Sequence, residues 1–443
     1  MQILKKKWMN VMRIIRDKYL NEIIERKNNG LVKVITGLRR SGKSYLVFNI
    51  YKQYLLDNEV NEKQIICFAF DNKEDLLKLD KYYPKQKTLM YDSRKKNYTV
   101  NANKFIQYVK DNTPGDCQYY LLLDEIQLLD NFVLTLNGFL THKNFDVYVT
   151  GSNSKMLSKD IITEFRGRGD QISIYPLSFK EYMEATKLSF DEAYLEYQYF
   201  GGMPYVLSLS SEERKQAYLK NLFAEIYIKD IVERNNIQNQ ESFELLFKIL
   251  SSNIGSYTNP TNIEKTFRST MNTYYGHDTI KKHIDFIKDA FILGEANRYD
   301  IKGKKYIGAN SKYYFTDIGL RNALINFRQD EPTHIMENII YNELIARGYN
   351  VDVGVVEINE RNKNGKYDKK QLETDFVCNK INERIYIQSA YSMENMEKYY
   401  QERKSLINIK DNFRKIIIVK DTIKKYVTED GIEVISLKDF LLN

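Results

Sequence analysis

The fold is decided by residues 31–44, which read LVKVITGLRRSGKS. Residues 31–36 form an apolar run typical of a buried strand, and Gly37 to Ser44 fit the phosphate-loop spacing GxxxxGK[S/T]. Beyond the loop, apolar residues recur at helical spacing: Leu46, Val47, Ile50, Tyr51, Tyr54 and Leu55. The loop therefore joins a strand to a helix, which is the context in which main-chain N–H groups can hold a triphosphate.

Each residue type in the loop suits one part of a nucleotide. Lys43 is predicted to reach the outer phosphates, and the Ser44 hydroxyl is predicted to bind magnesium. The predicted nucleotide-binding residues are Gly37, Arg39, Arg40, Ser41, Gly42, Lys43, Ser44 and Tyr45. The alternative is a turn that matches the spacing by chance, and the flanking strand and helix argue against it.

An acidic motif farther along the chain supports this interpretation. The apolar run from Tyr119 to Leu123 ends in Asp124 and Glu125, as expected of a parallel strand that is buried on both faces. Asp124 is predicted to hold magnesium through water, and Glu125 to orient or deprotonate the attacking water. Such a pair alone is more often a solvated strand end. Together with the phosphate loop it indicates a nucleotide hydrolysis site on neighbouring strand ends.

Composition limits the class of protein. A chain of 443 residues is too long for one ordinary core, so two or three domains are expected. No apolar run approaches the roughly 18 residues that cross a bilayer, and we expect no secretory signal. A basic N-terminal helix, residues 5–19, is predicted to pack on the nucleotide-binding core, with a membrane-surface helix as the alternative.

Charge and cysteine content add two expectations. The three cysteines are far apart and lack metal-binding spacing, so neither a disulfide scaffold nor a zinc site is expected, and a cytoplasmic location fits best. They are Cys67, Cys117 and Cys378. A net charge of +8 permits a nucleic-acid partner without requiring one.

Residues 31–176 alternate between strand and helix patterns, which predicts a parallel α/β sheet. Further strands are predicted at Ile65–Phe70, Tyr119–Leu123, Phe145–Thr150 and Gln171–Tyr175. From residue 177 to 234 helical patterns take over, interrupted by Gly-Gly-Met-Pro at 201–204, and we interpret this segment as a helical lid on the nucleotide-binding domain.

Residues 241–325 predict a winged helix-turn-helix. Helices are expected at Ser242–Ser252, from Pro260 and from His277, followed by a hairpin at residues 298–306. The third helix would offer Thr279, Lys281, Lys282 and His283 to nucleic acid, and the wing would offer Lys302, Lys304 and Lys305. The alternative is a protein contact, because Asp278, Asp285 and Asp289 dilute the basic face.

The last third predicts a helix at Ile335–Arg347 and four strands. The strands are expected at Val351–Ile358, Glu373–Cys378, Arg384–Gln388 and Lys415–Val419. A further helix is expected at Met396–Ile407, and residues 362–370 are expected to form a loop or hairpin tip.

These motifs, in order, resemble those of bacterial and archaeal AAA-type ATPases that carry a DUF4143 C-terminal region. The resemblance rests on ITGLRRSGKS at 35–44, LLLDEIQ at 121–127, VTGSNSKML at 149–157, FRGRGDQISIYPLSFKEY at 165–182, FGGMPYVL at 200–207, KYYFTDIGLRNAL at 312–324, MENIIYNELIARGY at 336–349, ETDFV at 373–377, YIQSAY at 386–391 and DGIEVISLKDFLL at 430–442. It implies ATP and Mg²⁺ as ligands and formation of a homo-oligomer.

The resemblance also assigns site residues. It implies that Asn153 is a polar sensor of the γ-phosphate, with a plain Asx turn as the alternative. Arg166 or Arg168 would neutralise charge on the γ-phosphate, in cis or from a neighbouring subunit, and Arg168 is favoured. The Gly-Gly-Met-Pro segment resembles the lid motif that closes over nucleotide, or it forms a helix break.

The C-terminal region resembles the PD-(D/E)xK nuclease fold. The resemblance implies a degenerate site of Glu337, Asp375 and Gln388, and the lysine position holds Ala390. Without the lysine at position 390 and without a carboxylate at position 388, the site lacks two charges that metal-dependent cleavage of nucleic acid requires. A scaffold for binding or assembly is therefore predicted instead.

The predicted fold class is therefore α/β. It comprises an AAA-type P-loop core at 1–176, a helical lid at 177–235, a winged helix at 236–328 and a restriction-endonuclease-like DUF4143 domain at 329–443. The predicted function is ATP hydrolysis whose nucleotide state moves the winged helix and an inactive nuclease-like domain, acting on nucleic acid (DNA or RNA) or on a partner. The alternative is a slow ATP-dependent switch that recruits a protein partner without nucleic-acid contact.

Overall fold

The computed structural model describes residues 14–92, 97–151, 165, 167–271, 275–328, 331–361, 367–393 and 396–443. The chain forms two compact units, a first unit at residues 14–175 and a second unit at residues 176–443. Across these described ranges, no helix combines the length and the apolar character that a bilayer crossing requires.

The first unit is built on a parallel sheet of five strands in the order β2-β5-β6-β1-β7. These strands are β1 Val32–Gly37, β2 Ile65–Ala69, β5 Tyr119–Asp124, β6 Phe145–Thr150 and β7 Gly169–Ile174. A separate antiparallel hairpin consists of β3 Leu89–Asp92 and β4 Asn97–Val100. The predicted parallel α/β sheet is confirmed, whereas the hairpin was not predicted, because its two strands have only four residues each.

Within the described residues, α-helices flank these strands. They are α1 Asp17–Glu25, α2 Lys43–Tyr45 (continued by the π-helix Leu46–Tyr51 and by Lys52–Asp57), α3 Lys73–Lys78, α4 Ala102–Asn112 and α5 Phe132–Phe139. Every residue of β1 is buried, because apolar layers cover both faces of the sheet. Val32 and Val34 belong to the layer with α4 and α5, while Ile35 belongs to the layer with α1 and α2.

Helix α1 packs on the core of the first unit. Tyr19 and Ile23 are buried in the same apolar layer as Leu46 and Tyr51 of α2. Burying one such side chain contributes about 1.5–3 kcal/mol, so this contact favours the core-packing interpretation for residues 17–25. Residues 5–13 of the predicted N-terminal helix lie outside the described residues.

The second unit opens with helices, as predicted. They are α6 Phe179–Thr186, α7 Phe190–Phe200, a 3-10 turn Pro204–Ser208, α8 Glu212–Asn221 (continued by the π-helix Leu222–Ile228) and α9 Lys229–Asn235. Ser178 and Ser189 each cap the helix that follows through a reciprocal bond with a glutamate three residues on.

Three helices and a hairpin follow in the predicted places. They are α10 Gln240–Ser252, the short strand β8 Tyr257–Thr258, α11 Pro260–Met271, α12 His277–Asp289, β9 Leu293–Asp300 and β10 Lys305–Phe315. Strand β10 pairs with β9 and with β8, in antiparallel orientation. Pairing of β9 with a later strand, near Arg298 and Val353, joins this hairpin to the C-terminal strands in one nine-stranded sheet.

The remaining elements complete that sheet. They are α13 Ile318–Leu324, α14 Pro332–Ala346, β11 Asn350–Arg361, β12 Tyr367–Lys380, β13 Glu383–Ala390, α15 Met396–Ile407, β14 Arg414–Val419, β15 Tyr426–Val427, β16 Glu433–Ser436 and α16 Leu437–Leu442. The order across the sheet is β15-β16-β14-β13-β12-β11-β9-β10-β8. The four strands predicted here are confirmed. Of the segment 362–370 that was predicted as a loop or hairpin tip, residues 367–370 belong to β12 instead, and residues 362–366 lie outside the described residues.

The glycines of the Gly-Gly-Met-Pro segment are explained by close packing within the second unit. Gly201 has φ +69°, and a Cβ there would lie 2.4 Å from Asp317 Oδ1. The main-chain N–H of Gly202 donates to Asp317 Oδ2 at 2.7 Å. Burial raises the pKa of Asp317 to about 6, against the effect of these N–H donors. The segment therefore docks on α13, and a lid role over nucleotide stays a prediction.

Candidate nucleotide-binding site

The predicted phosphate loop connects the C-terminal end of β1 to the start of α2. Two of its positions require glycine. Gly37 has φ +139°, and a Cβ there would lie 2.0 Å from the carbonyl oxygen of Ile174 on β7. Gly42 adopts φ 98° immediately before the first turn of α2. The loop conformation is therefore built into the sequence at both ends.

Lys43 lies inside this loop and is largely buried. Its Nζ donates to the carbonyl oxygens of Gly37 at 3.0 Å and Leu38 at 2.9 Å. Burial lowers the pKa of Lys43 to about 8, although Glu125 and Asp124 act in the opposite direction. An ammonium whose hydrogen bonds go only to neutral carbonyls keeps a strong attraction for an anion.

Ser44 and Asp124 bring two oxygen ligands together. The Ser44 hydroxyl donates to Asp124 Oδ1 at 2.8 Å, and the Thr150 hydroxyl donates to the same oxygen. Burial raises the pKa of Asp124, and these two hydrogen bonds oppose the rise. Magnesium prefers hard oxygen ligands and takes only one or two from protein in phosphate sites, so this pair suits it.

Glu125 follows Asp124 at the same sheet edge. Its main-chain N–H donates to the Thr150 hydroxyl at 3.3 Å, and Gln127 donates to Glu125 Oε2. Burial and the charge of Glu125 raise the pKa of Asp71, so a third carboxylate lies near this position. Thr150 and Asp71 were not predicted from the sequence. Thr150 is the last residue of β6, Asp71 lies two residues beyond the end of β2, and both strands pair with β5.

Arg16 is a further residue that the sequence analysis missed. The buried guanidinium donates from Nη1 to the Ser41 carbonyl at 3.1 Å and from Nη2 to the Tyr175 carbonyl at 2.8 Å. It therefore ties the phosphate loop to the chain that follows β7. No motif or periodicity in the sequence marks an arginine for this role.

The other predicted nucleotide-binding side chains, Arg39, Arg40 and Tyr45, are exposed on the loop and the first turn of α2. Asn153 and Arg166 lie outside the described residues. Their predicted roles as sensor and arginine finger stay predictions.

The in-cis role predicted for Arg168 is wrong. Its carbonyl accepts a hydrogen bond from the N–H of Val32, at the N-terminal end of β1, whereas the phosphate loop begins at Gly37. At about 3.3 Å per residue, β1 separates these two ends by roughly 17 Å, which exceeds the reach of an arginine side chain. The role of Arg168 from a neighbouring subunit stays a prediction.

The lysines predicted to contact nucleic acid lie at the surface of the second unit. Lys281 and Lys282 are exposed on α12, and Lys302, Lys304 and Lys305 are exposed at the turn of the β9–β10 hairpin. Thr279 is exposed as well. His283 was predicted on this face, which is wrong: its ring is buried, its Nδ1 bonds the Tyr275 hydroxyl, and burial lowers its pKa to about 4.

Glu337 and Asp375, predicted as parts of a degenerate nuclease-like site, lie in one buried cluster around a lysine. Lys312 of β10 bonds Glu337 Oε1 at 2.9 Å and Glu373 Oε1 at 2.6 Å. Burial lowers the pKa of Lys312, but Glu337, Asp375 and Glu373 outweigh burial and raise it. This lysine was missed because it comes from β10 and lies far in sequence from the strand where the nuclease motif places one.

The other members of the cluster bind one another. Asp375 Oδ2 accepts the main-chain N–H of Ser389 at 2.7 Å, and Gln388 Oε1 accepts the N–H of Asp375 at 3.4 Å. Burial and the charge of Glu337 raise the pKa of Asp375. Over the described part of the chain, no group of three His, Cys, Asp or Glu side chains is arranged to hold a metal ion. Two carboxylates of the cluster, Glu337 and Glu373, are thus paired with the ammonium of Lys312.

Comparison with known families finds an AAA domain, AAA_14, at residues 29–183 and a domain of unknown function, DUF8612, at residues 191–331. The chain is 33% identical to an uncharacterized protein of Haemophilus influenzae, over 98% of this chain and 100% of that protein. It is also 28% identical to the uncharacterized protein MJ1544 of Methanocaldococcus jannaschii, over 83% of this chain and 76% of that protein. The chain belongs to the family of the Haemophilus protein and contains an AAA domain.

Two solved structures are weakly similar. The Aeropyrum pernix ORC2 protein matches with a TM-score of 0.40 and 11% identity, over 76% of this chain and 96% of that chain. The Aeropyrum pernix ORC1 protein in complex with DNA matches with a TM-score of 0.33 and 10% identity, over 72% of this chain and 94% of that chain. The AAA fold rests on the family match and the parallel sheet. The DUF4143 and nuclease-like assignments stay predictions.

Proposed function

We propose that the first unit binds ATP with magnesium and hydrolyses its terminal phosphoanhydride bond. The observation that supports this most strongly is the environment of Lys43, a buried ammonium that donates to two loop carbonyls and lies close to Asp124 and Glu125. The N-terminal end of α2 adds main-chain N–H groups and a favourable dipole for phosphate. The AAA domain match supports the same activity.

Each residue of the site has a separate role in the proposed hydrolysis of ATP. Lys43 exchanges its carbonyl partners for oxygens of the outer phosphates. Ser44 and Asp124 would hold magnesium, which when bound neutralises charge on the phosphate oxygens. Glu125 orients the attacking water or accepts its proton, and Thr150 fixes the relative positions of Asp124 and Glu125 through its two hydrogen bonds.

The second unit is proposed to respond to the nucleotide state and to act on nucleic acid. The exposed lysines of α12 and of the β9–β10 turn are suited to phosphate contacts. The Lys312 cluster is proposed to be part of a scaffold, because its carboxylates are already paired with an ammonium. Arg168 is proposed to act on the nucleotide of a neighbouring subunit in a homo-oligomer.

The test is phosphate release from ATP by the full chain. We expect Glu125→Gln to lower turnover by at least about 100-fold while the protein still retains ATP. Glu74→Gln is the matched control, since Glu74 is an exposed glutamate of the same unit on α3. Turnover by Glu125→Gln at the wild-type rate would refute the assignment.

A further inference from the structure

The β3–β4 hairpin presents aromatic side chains to solvent. Tyr91 and Tyr98 face each other across the two strands, with ring centroids 5.4 Å apart, and they are 60% and 58% exposed. Leu89 is exposed on the same strand as Tyr91. Large rings at such positions gain little from burial, so the packing of the first unit does not explain them.

The chain that leads into the hairpin is basic. Lys81, Lys85 and Lys87 are exposed, and no acid occurs between residues 81 and 91. Tyr83, also exposed, lies between the first two of these lysines. The acid that precedes this stretch, Asp80, accepts a hydrogen bond from Thr88 at 2.5 Å. Three exposed lysines and two exposed rings, Tyr83 and Tyr91, therefore lie along one stretch of eleven residues.

We propose that this stretch, residues 81–91 together with Tyr98, binds single-stranded nucleic acid. The charge of the lysines complements a phosphodiester backbone, and tyrosine rings give unpaired bases a surface on which to stack. A duplex hides its base faces, so it satisfies the lysines but not the rings. The occupant that uses both features is a strand with unpaired bases.

The hairpin is attached to the segment that follows Glu125. Val100, the last residue of β4, forms a bridge with Leu129, and its carbonyl accepts the N–H of Asp130 at 2.9 Å. The N–H of Leu128 in turn donates to the Glu125 carbonyl at 3.0 Å. A strand bound at the hairpin is therefore expected to raise the rate of hydrolysis. This coupling rests on the proposed function, whereas the binding itself does not.

The binding test is fluorescence anisotropy of labelled oligonucleotides with the full chain, without nucleotide. The probes are an unstructured DNA strand, the corresponding RNA strand and a DNA duplex of the same length. Tyr91→Ser with Tyr98→Ser is expected to weaken binding of single strands by about 5- to 100-fold. Tyr367→Ser is the control, an exposed tyrosine of the second unit, and it is expected to bind as the wild type does.

The lysines are tested by salt dependence. Replacing Lys85 and Lys87 with glutamine is expected to reduce the slope of log affinity against log salt by about 1.4 for a single strand. Lys63→Gln with Lys143→Gln is the control, because both lysines are exposed in the same unit away from this stretch in sequence. An unchanged slope in the first pair would contradict the phosphate contacts.

The outcomes separate the two proposals. Binding of single strands that depends on the tyrosines supports the hairpin site even if the chain releases no phosphate from ATP, which would refute the hydrolase instead. If the chain hydrolyses ATP but binds no single strand, or binds single strands equally well in the wild type and the tyrosine variant, the hairpin site is refuted. With both correct, the tyrosine variant retains basal turnover and loses stimulation by the oligonucleotide.

Discussion

Lys43 in the first unit and Lys312 in the second unit are both buried close to carboxylates, yet their surroundings shift their pKa values in opposite directions. Lys43 donates to two carbonyl oxygens, so burial prevails and lowers its pKa to about 8. Lys312 donates to two carboxylates, whose charges outweigh burial and raise its pKa. The groups that accept hydrogen bonds from a buried lysine therefore decide its role. Lys43 can accept an anion, whereas Lys312 already has its anions.

The largest effect that tests this contrast is expected from Lys312→Ala. Removing the ammonium leaves Glu337 and Glu373 without their cation, and breaking a buried pair in this way typically costs about 3–5 kcal/mol. We expect the free energy of unfolding, measured by urea denaturation, to fall by that amount. ATP turnover by the folded protein is expected to stay at the wild-type level.

A rescue variant distinguishes lost charge compensation from lost packing. Lys312→Met combined with Glu337→Gln and Glu373→Gln removes the charges together and is expected to recover part of the stability. If Lys312→Ala is as stable as the wild type, or if it alone abolishes turnover, the description of this cluster as a structural one is wrong.

The next effect is kinetic. Lys43→Ala removes the ammonium from the phosphate loop and is expected to lower ATP turnover by about 100- to 1000-fold, with little loss of stability. Lys63→Ala, which changes an exposed lysine of the same unit, is the control in the phosphate-release assay. If Lys43→Ala is inactive only because it unfolds, then Lys43, like Lys312, acts on stability, and the proposed difference between the two lysines is wrong.

The free energy of unfolding at alkaline pH is a further way to distinguish Lys43 from Lys312. The folded pKa of Lys43 is lowered from 10.5 to about 8, so between these values the unfolded chain binds more protons than the folded one. The free energy of unfolding should therefore rise with pH in this window, by about 1–3 kcal/mol. Urea denaturation at pH 7.5 and pH 10 is expected to show this rise in the wild type relative to Lys43→Met.

The raised pKa of Lys312 is not expected to produce such a rise in stability. Its contribution to stability is fully present below 10.5 and is lost only as pH rises through its folded value. A comparison of the wild type with Lys312→Met should therefore give the same difference at pH 7.5 and pH 10. An alkaline rise that depends on Lys312 and not on Lys43 would reverse our assignment.

The smallest effect is expected from Gln388→Ala. The side chain accepts one long hydrogen bond, 3.4 Å from the N–H of Asp375, so its loss should cost less than about 1.5 kcal/mol. Turnover of ATP should not change. A large loss of stability, measured by urea denaturation as above, would show that Gln388 has a greater role in the cluster than its contact indicates.

Local patterns made the nucleotide-binding site predictable from the sequence. The strand, the loop with its two glycines and the apolar face of α2 are contiguous, and so are β5 and its two acids. Lys312 was not predictable, because its partners Glu337 and Glu373 lie 25 and 61 positions away in the sequence and meet it only when the sheet and α14 are assembled.

The wrong and missing predictions also concern features that a local sequence pattern does not determine. The spacing around Arg168 does not show that the residue lies at the far end of β1 from the loop, since strand register decides that. His283 follows two exposed lysines on α12, but the helix turns its ring towards Tyr275. The β3–β4 hairpin was missed because strands of four residues give too short a pattern to recognise.

The most direct test of the nucleotide site is calorimetric titration of ATP into the Glu125→Gln chain, with magnesium and with EDTA. We predict one binding site per chain, weaker binding when magnesium is removed, and loss of binding when Lys43→Ala is added to Glu125→Gln. Equal affinity in the presence and absence of Lys43 would contradict the claim that this loop holds the phosphates.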